Sequence, residues 1–130
     1  MRRVLVDTNA LLAALVFPGG VPAQVFLQVV AEEQLVLTPG ILDEARNVVA
    51  RKWPDRRSDL EQLFASVDYE LLPGGTTSGI AIRDAKDQPI LDAAVAEAVD
   101  VILTGDKDFL AFDIERPKIV NPRGYLELLG

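Results

Sequence analysis

Cysteine and histidine are both absent from the 130 residues of this chain. Without thiols there is no disulfide framework, no thiolate metal site and no cysteine nucleophile. Without imidazole, the commonest general base and the commonest zinc ligand are missing as well. Any catalysis must therefore use carboxylates, hydroxyls, amines or a bound hard metal ion. Aromatic side chains are scarce, with one tryptophan, two tyrosines and five phenylalanines. A base-stacking platform of the kind that binds single strands is therefore not expected. No apolar run approaches the ~20 residues that span a bilayer. The opening stretch MRRVLVDTNALLAALVF imitates a signal peptide, but Asp7 and Asn9 interrupt its apolar run and no small-residue cleavage site follows. It reads as mature structure in a cytoplasmic protein. The net charge of −7 argues against general attraction to nucleic acid. It still permits a nucleic-acid enzyme whose metal ions invert the potential locally.

What is present is the ordinary balance of a globular protein, 49% apolar and 25% charged. The length suits one domain over residues 1–130, with no repeat, linker or low-complexity segment. Residues 3–6 (RVLV) and 34–37 (QLVL) read as strands, and DVILT (100–104) and KIV (118–120) as later ones. DYELL is a weaker strand candidate, PGGTTSG (73–79) a loop, and FLAFD is ambiguous. Helices are expected over TNALLAALV, over 22–33, and from Pro39 with Thr38 as N-cap until Pro54 stops the run. Ser58 with Glu61 forms a capping-box pattern for a helix reaching about Ser66. QPILDAAVAEAV and the terminal NPRGYLELLG complete the helical set. Strands alternating with helices predict an α/β fold with a mainly parallel sheet.

In such sheets function gathers beyond the carboxyl ends of the strands. VLVDTN and VILTGDKDF each run from a buried strand straight into an aspartate, Asp7 and Asp106. Either alone is a routine turn or cap residue. Their flanks add interest: Thr8 and Asn9 are able to orient a carboxylate, and Thr104 and Gly105 precede Asp106. Glu44, early in the third helix, is a third candidate, with a favourable helix-dipole position as the alternative. Asp87, in KDQPILD, is a fourth, with capping of its helix as the alternative, and Asp92 lies five residues on. Four converging carboxylates repel one another unless a cation joins them. Mg²⁺ or Mn²⁺ prefers oxygen ligands, needs no histidine and polarises phosphoryl oxygens.

These stations, in VLVDTNALLAALV, TPGILDEARNVV, AKDQPILDAAVAEA and VILTGDKDF, together resemble the PIN-domain nucleases, and within them the VapC-like toxins of prokaryotic toxin–antitoxin pairs. The resemblance covers nearly the whole chain. It implies a three-layer α/β/α sandwich around a parallel sheet and Mg²⁺- or Mn²⁺-dependent hydrolysis of RNA. Carried over by position, Asp7, Glu44, Asp87 and Asp106 form the acidic quartet. Asp7, Asp87, Asp106 and Asp108 are the implied metal ligands, oriented by Thr8, Asn9 and Thr104. Asp84, Asp87 and Asp92 compete for the third station; spacing from Asp106 favours Asp87, with Asp92 in reserve. A small antitoxin protein and a homodimer are the implied partners.

Basic residues cluster at Arg46, Arg51, Lys52, Arg56 and Arg57. They form either a solvated helix face or a phosphate-tracking patch for RNA. Arg83, Lys86 and Lys107 lie nearer the acidic edge in sequence. A phosphoaspartyl phosphatase needs a second acid two residues after its nucleophile, where this chain has Asn9. The remaining alternative is a degenerate PIN-like module that binds RNA or protein without cutting.

Overall fold

A computed structural model describes residues 1–75 and 77–129. Thr76, in the expected PGGTTSG loop, and Gly130, at the end of the expected terminal helix, lie outside the described residues. Among the described residues five strands, β1 (Arg3–Val6), β2 (Gln34–Leu37), β3 (Glu70–Leu71), β4 (Val101–Leu103) and β5 (Lys118–Val120), form one sheet. Its order is β3-β2-β1-β4-β5 and every pairing is parallel. Val4, Leu5 and Val6 have no exposed surface, nor do Val36 and Leu37, because helices cover both faces of the sheet. That is why these strands read as continuous apolar runs rather than alternating ones.

Among the described residues seven α-helices surround the sheet: α1 (Thr8–Val16), α2 (Val21–Glu32), α3 (Pro39–Lys52), α4 (Arg57–Ser66), α5 (Gln88–Ala96), α6 (Lys107–Leu110) and α7 (Pro122–Leu129). The result is a three-layer α/β/α sandwich. Thr38 caps α3, its Oγ1 accepting from the Ile41 amide at 3.1 Å, and Pro39 opens the first turn. Arg51 and Lys52 sit in the last turn, where positive charge complements the helix dipole.

Two expectations need correction. The Ser58–Glu61 capping box does not form. A 3₁₀ turn over Pro54–Arg56 leads directly into α4 at Arg57, which places Ser58 inside the helix. Glu61 is bonded to Arg46 of α3 instead, at 2.9 and 3.1 Å. Helix α5 also stops short of Val99: Ala98 takes a left-handed conformation (φ 53°), and the Val99 amide bonds back to the Ala94 carbonyl at 2.9 Å. The undecided FLAFD stretch contributes to α6.

The order of strands reverses between β1 and β4, since the chain winds outward from β1 through β2 to β3 and then returns to the other side. Pairing there continues past the strand ends, with the Asp7 amide donating to the Leu103 carbonyl at 2.9 Å. The crevice at such a reversal is where open α/β sheets bind ligands. At the opposite end of the sheet, Arg3 serves stability. Its guanidinium donates to both Glu70 oxygens (3.0 and 2.6 Å) and to the Glu97 carbonyl, and its amide donates to Asp100 at 2.8 Å. Among the described residues no single helix is long and apolar enough to cross a membrane.

Candidate active site

Asp7 follows β1 and caps α1. Its Oδ1 accepts from the Thr8 amide at 2.7 Å and its Oδ2 from the Thr104 hydroxyl, also at 2.7 Å. Asp106 follows β4 and caps α6 in the same manner, accepting from the amides of Asp108 (2.8 Å) and Phe109 (3.2 Å). Both strand-end aspartates are therefore caps. Both cap bonds to Asp106 fall on Oδ1 and leave its Oδ2 available to a ligand, and each Asp7 oxygen, accepting one bond, keeps a second lone pair. Thr104 joins the two, since its hydroxyl donates to Asp7 and accepts from the Asp106 amide at 3.1 Å.

Asp87 is different. It occupies the cap position of α5 but in helical backbone conformation, and its side chain makes no cap bond. The residue is 3% exposed and its Oδ2 is buried without a hydrogen-bond partner. An unpartnered buried carboxylate oxygen is costly in a fold that gives it no further role. Burial, and then the charges of Asp106 and Asp7, push its carboxyl up to about 7. The Asp7 carboxyl is raised as well, by burial foremost, against the opposing bonds from Thr104 and Thr8.

A cleft of about 270 Å³ gathers these groups; Asp7, Glu44, Asp84, Asp87 and Asp106 line it together with Asn9. Glu44 enters from α3, touched by the Thr8 hydroxyl only at 3.4 Å. Asp84, weighed in the sequence as a rival of Asp87, turns out to stand beside it. One carboxylate oxygen from each of Asp84, Asp106 and Asp108 falls within 4.8 Å of the others. Asp108 itself is exposed and lies outside the cleft lining. The signal for Asp84 was its turn: its Oδ1 accepts from the Lys86 amide at 2.9 Å, folding 84–87 back so that both acids face one space.

Asp92 does not join them. Its Oδ1 accepts from the Ser78 amide (3.1 Å), the Ser78 hydroxyl (2.7 Å) and the Gln88 amide group (2.9 Å). The bonds from Ser78 and Gln88 hold its carboxyl below the usual range. It anchors the loop before α5 and lies outside the lining of the cleft that gathers the other acids. Among the bases, Arg51, Lys52 and Lys86 line the cleft. Arg46 does not; it is held by Glu61 with its guanidinium 5.3 Å from the centre of the Phe64 ring. Lys107 is exposed on α6, outside the lining.

All candidate ligands are carboxylate oxygens, two of them partly desolvated and one without a partner, a donor set that fits a hard divalent cation. A family model for the PIN domain matches residues 3–108, from β1 into α6, and so includes every acid of the cleft. The chain belongs to the PIN-domain family. Membership supports a hydrolase acting on nucleic acids, a class that generally uses divalent metal ions. Over 143 aligned positions this PIN domain is 27% identical to an uncharacterized protein of Methanocaldococcus jannaschii, covering 96% of this chain and 90% of the relative. It is similar in fold to VapBC2 from Rickettsia felis, solved bound to a DNA fragment from their promoter. That match has a TM-score of 0.67 at 16% identity and covers 92% of this chain and 98% of the other.

Proposed function

We propose that this PIN domain is a Mg²⁺- or Mn²⁺-dependent endoribonuclease, the toxin of a toxin–antitoxin pair. The observation that carries the reading is Asp87, buried and unpartnered beside Asp7 and Asp106 in one cleft. Asp7, Asp87 and Asp106, with Asp84 or Asp108, would hold the metal, which when bound polarises a phosphoryl oxygen and lowers the pKa of a coordinated water. The chain's own groups do the rest. Thr104 and the cap amides of Thr8, Asp108 and Phe109 keep two carboxylates in position. Glu44, lightly held, is placed to take a proton from a water in the cleft as that water adds to phosphorus and the P–O bond to the ribose oxygen breaks, the leaving oxygen taking its proton from solvent in the open cleft. Arg51, Lys52 and Lys86 attract the phosphate backbone that a net charge of −7 otherwise repels.

The antitoxin part of the proposal rests on the likeness in fold to VapBC2 and on the resemblance of the sequence to VapC-like toxins. An apolar groove of about 280 Å³ lined by Ala14, Phe26, Leu27, Leu63 and Val67 is a surface that such a partner or a second protomer would cover. The test is cleavage of a labelled RNA pool, with a matching DNA pool, in Mg²⁺, in Mn²⁺ and in chelator. Wild type should cut RNA only with metal, and Asp7→Asn should lose at least ~100-fold in rate. Cutting that survives Asp7→Asn sinks the assignment. Metal binding without any cutting would favour the non-cleaving module.

A further inference from the structure

Beside the acidic cleft a second cavity, of about 490 Å³, opens between α3 and the turn leading into α5. Glu44, Val48, Arg51, Lys86 and Ile90 line both, forming a common wall. Beyond that wall the surface changes character. Ile41, Val48, Pro89 and Ile90 give an aliphatic floor, and Asn47 adds an amide at its side. The volume lies within the ~300–1,000 Å³ typical of small-ligand sites. Among the described residues, neither Arg51 nor Lys86 pairs with a carboxylate within 4 Å, although Glu44, Asp84 and Asp87 line the same cleft. Arg2, Arg3, Arg46, Arg56 and Arg116 are each paired. On the shared wall Arg51 and Lys86, like Lys52 farther along the cleft, are left without a carboxylate partner among the described residues and are open to an anion that reaches the wall from solvent.

The order of chemistry along the surface is thus carboxylates, then free cations, then an apolar floor with one amide. A nucleotide chain presents a matching order: the phosphate under attack, the next phosphate, and a flat base with a polar edge. We propose that the second cavity binds the base of the nucleotide adjoining the scissile phosphate. Arg51 and Lys86 hold the flanking phosphate, and Asn47 reads the base edge, since its amide both donates and accepts. The proposal rests on the ribonuclease reading of the cleft. It makes Asn47 a specificity residue, and aliphatic contact takes the place of aromatic stacking, since the residues lining this cavity include no aromatic side chain.

Gly40 provides the test. It lines the cavity, and a Cβ placed there would meet only Thr38 Oγ1, at 3.8 Å. Gly40→Leu therefore blocks the space without displacing backbone, and removes a poor helix former from the first turn of α3. Adenosine, guanosine, cytidine and uridine 5′-monophosphates are titrated, in Mg²⁺, into ¹⁵N-labelled protein and followed by NMR. These probes contain no diester, so the readout does not depend on turnover. The expected result is shifts at the amides of Gly40, Ile41, Asn47 and Arg51, with one base preferred. Gly40→Leu should weaken binding about tenfold, and Asn47→Ala should flatten the preference among bases. Nucleotides that leave these amides unmoved, or that bind Gly40→Leu equally well, overturn the proposal and leave the cavity to a protein partner. RNA cut by Gly40→Leu at wild-type rate and pattern also overturns it while sparing the ribonuclease reading. Nucleotides held here with no RNA cut retain the base site and remove the ribonuclease.

Discussion

At the scale of single residues, Asp87 is the most informative side chain. Its carboxyl is raised from the ordinary 3.8 to about 7, so the metal-free fold tolerates the protonated form better than the charged one. The contribution to stability is complete below about 3.8, declines as pH rises, and is lost once pH passes about 7. Asp87→Asn cannot ionise. In chelator its stability relative to wild type should therefore grow between pH 4.5 and pH 8, by on the order of 2–4 kcal/mol. Urea unfolding at the two pH values measures this, and a constant gap between the proteins would mean that Asp87 is not strained. The sequence placed an acid at position 87 near a helix start, a spot where capping is the ordinary outcome. Only the packed structure shows that it caps nothing and keeps a bare buried oxygen.

Among elements, the loop ahead of α5 depends on Asp92. That carboxylate gathers Ser78 and Gln88, while Gln88 also donates to the Ile80 carbonyl at 2.7 Å and accepts from the Ile82 amide at 3.0 Å. Asp92→Ala should lower the melting temperature and speed proteolysis within 77–82, yet leave Mn²⁺ affinity within about threefold of wild type. Limited proteolysis and calorimetric titration check the two halves. Lost metal binding with an intact loop would restore Asp92 to the acidic set. Helices α1 and α3 and strands β1, β2 and β5 match their sequence patterns because each carries its own local signal. Asp7 caps α1, Thr38 and Pro39 open α3, and the strands are short apolar runs. The start of α4 misled because Glu61 had a stronger partner in Arg46, on another helix. A capping box is a local pattern and loses to a charged contact made in three dimensions.

For the whole molecule, the question is what balances the acids at one edge of the sheet. Asp7, Glu44, Asp84, Asp87 and Asp106 face one cleft, and the chain carries 20 acidic against 13 basic residues. A cation that binds the folded state alone stabilises it by mass action, about 2.7 kcal/mol at a hundredfold excess over its dissociation constant. Mn²⁺ should accordingly raise the melting temperature of wild type by several degrees. It should do so much less for Asp7→Asn, with Asp92→Asn responding as wild type does. A melting curve with and without Mn²⁺ suffices; equal shifts in wild type and Asp7→Asn would place the ion elsewhere.

By itself the sequence determined the fold class, the β1, β2, β4 and β5 strands with helices α1 and α3, and the delivery of Asp7 and Asp106 to the ends of buried strands. Those features follow from hydrophobic pattern and cap chemistry, which act over a few residues. Missing thiols and imidazoles had already confined any catalysis to carboxylates, hydroxyls, amines or a bound hard ion. Tertiary structure alone decided which acids meet. Asp84 and Asp87 enter the cleft, Asp92 turns to the loop, and Arg46 is drawn off by Glu61 while Arg51 and Lys86 stay free. The reason is distance. Charges and hydrogen-bond partners remote in sequence compete for one another only once the sheet order brings their elements together.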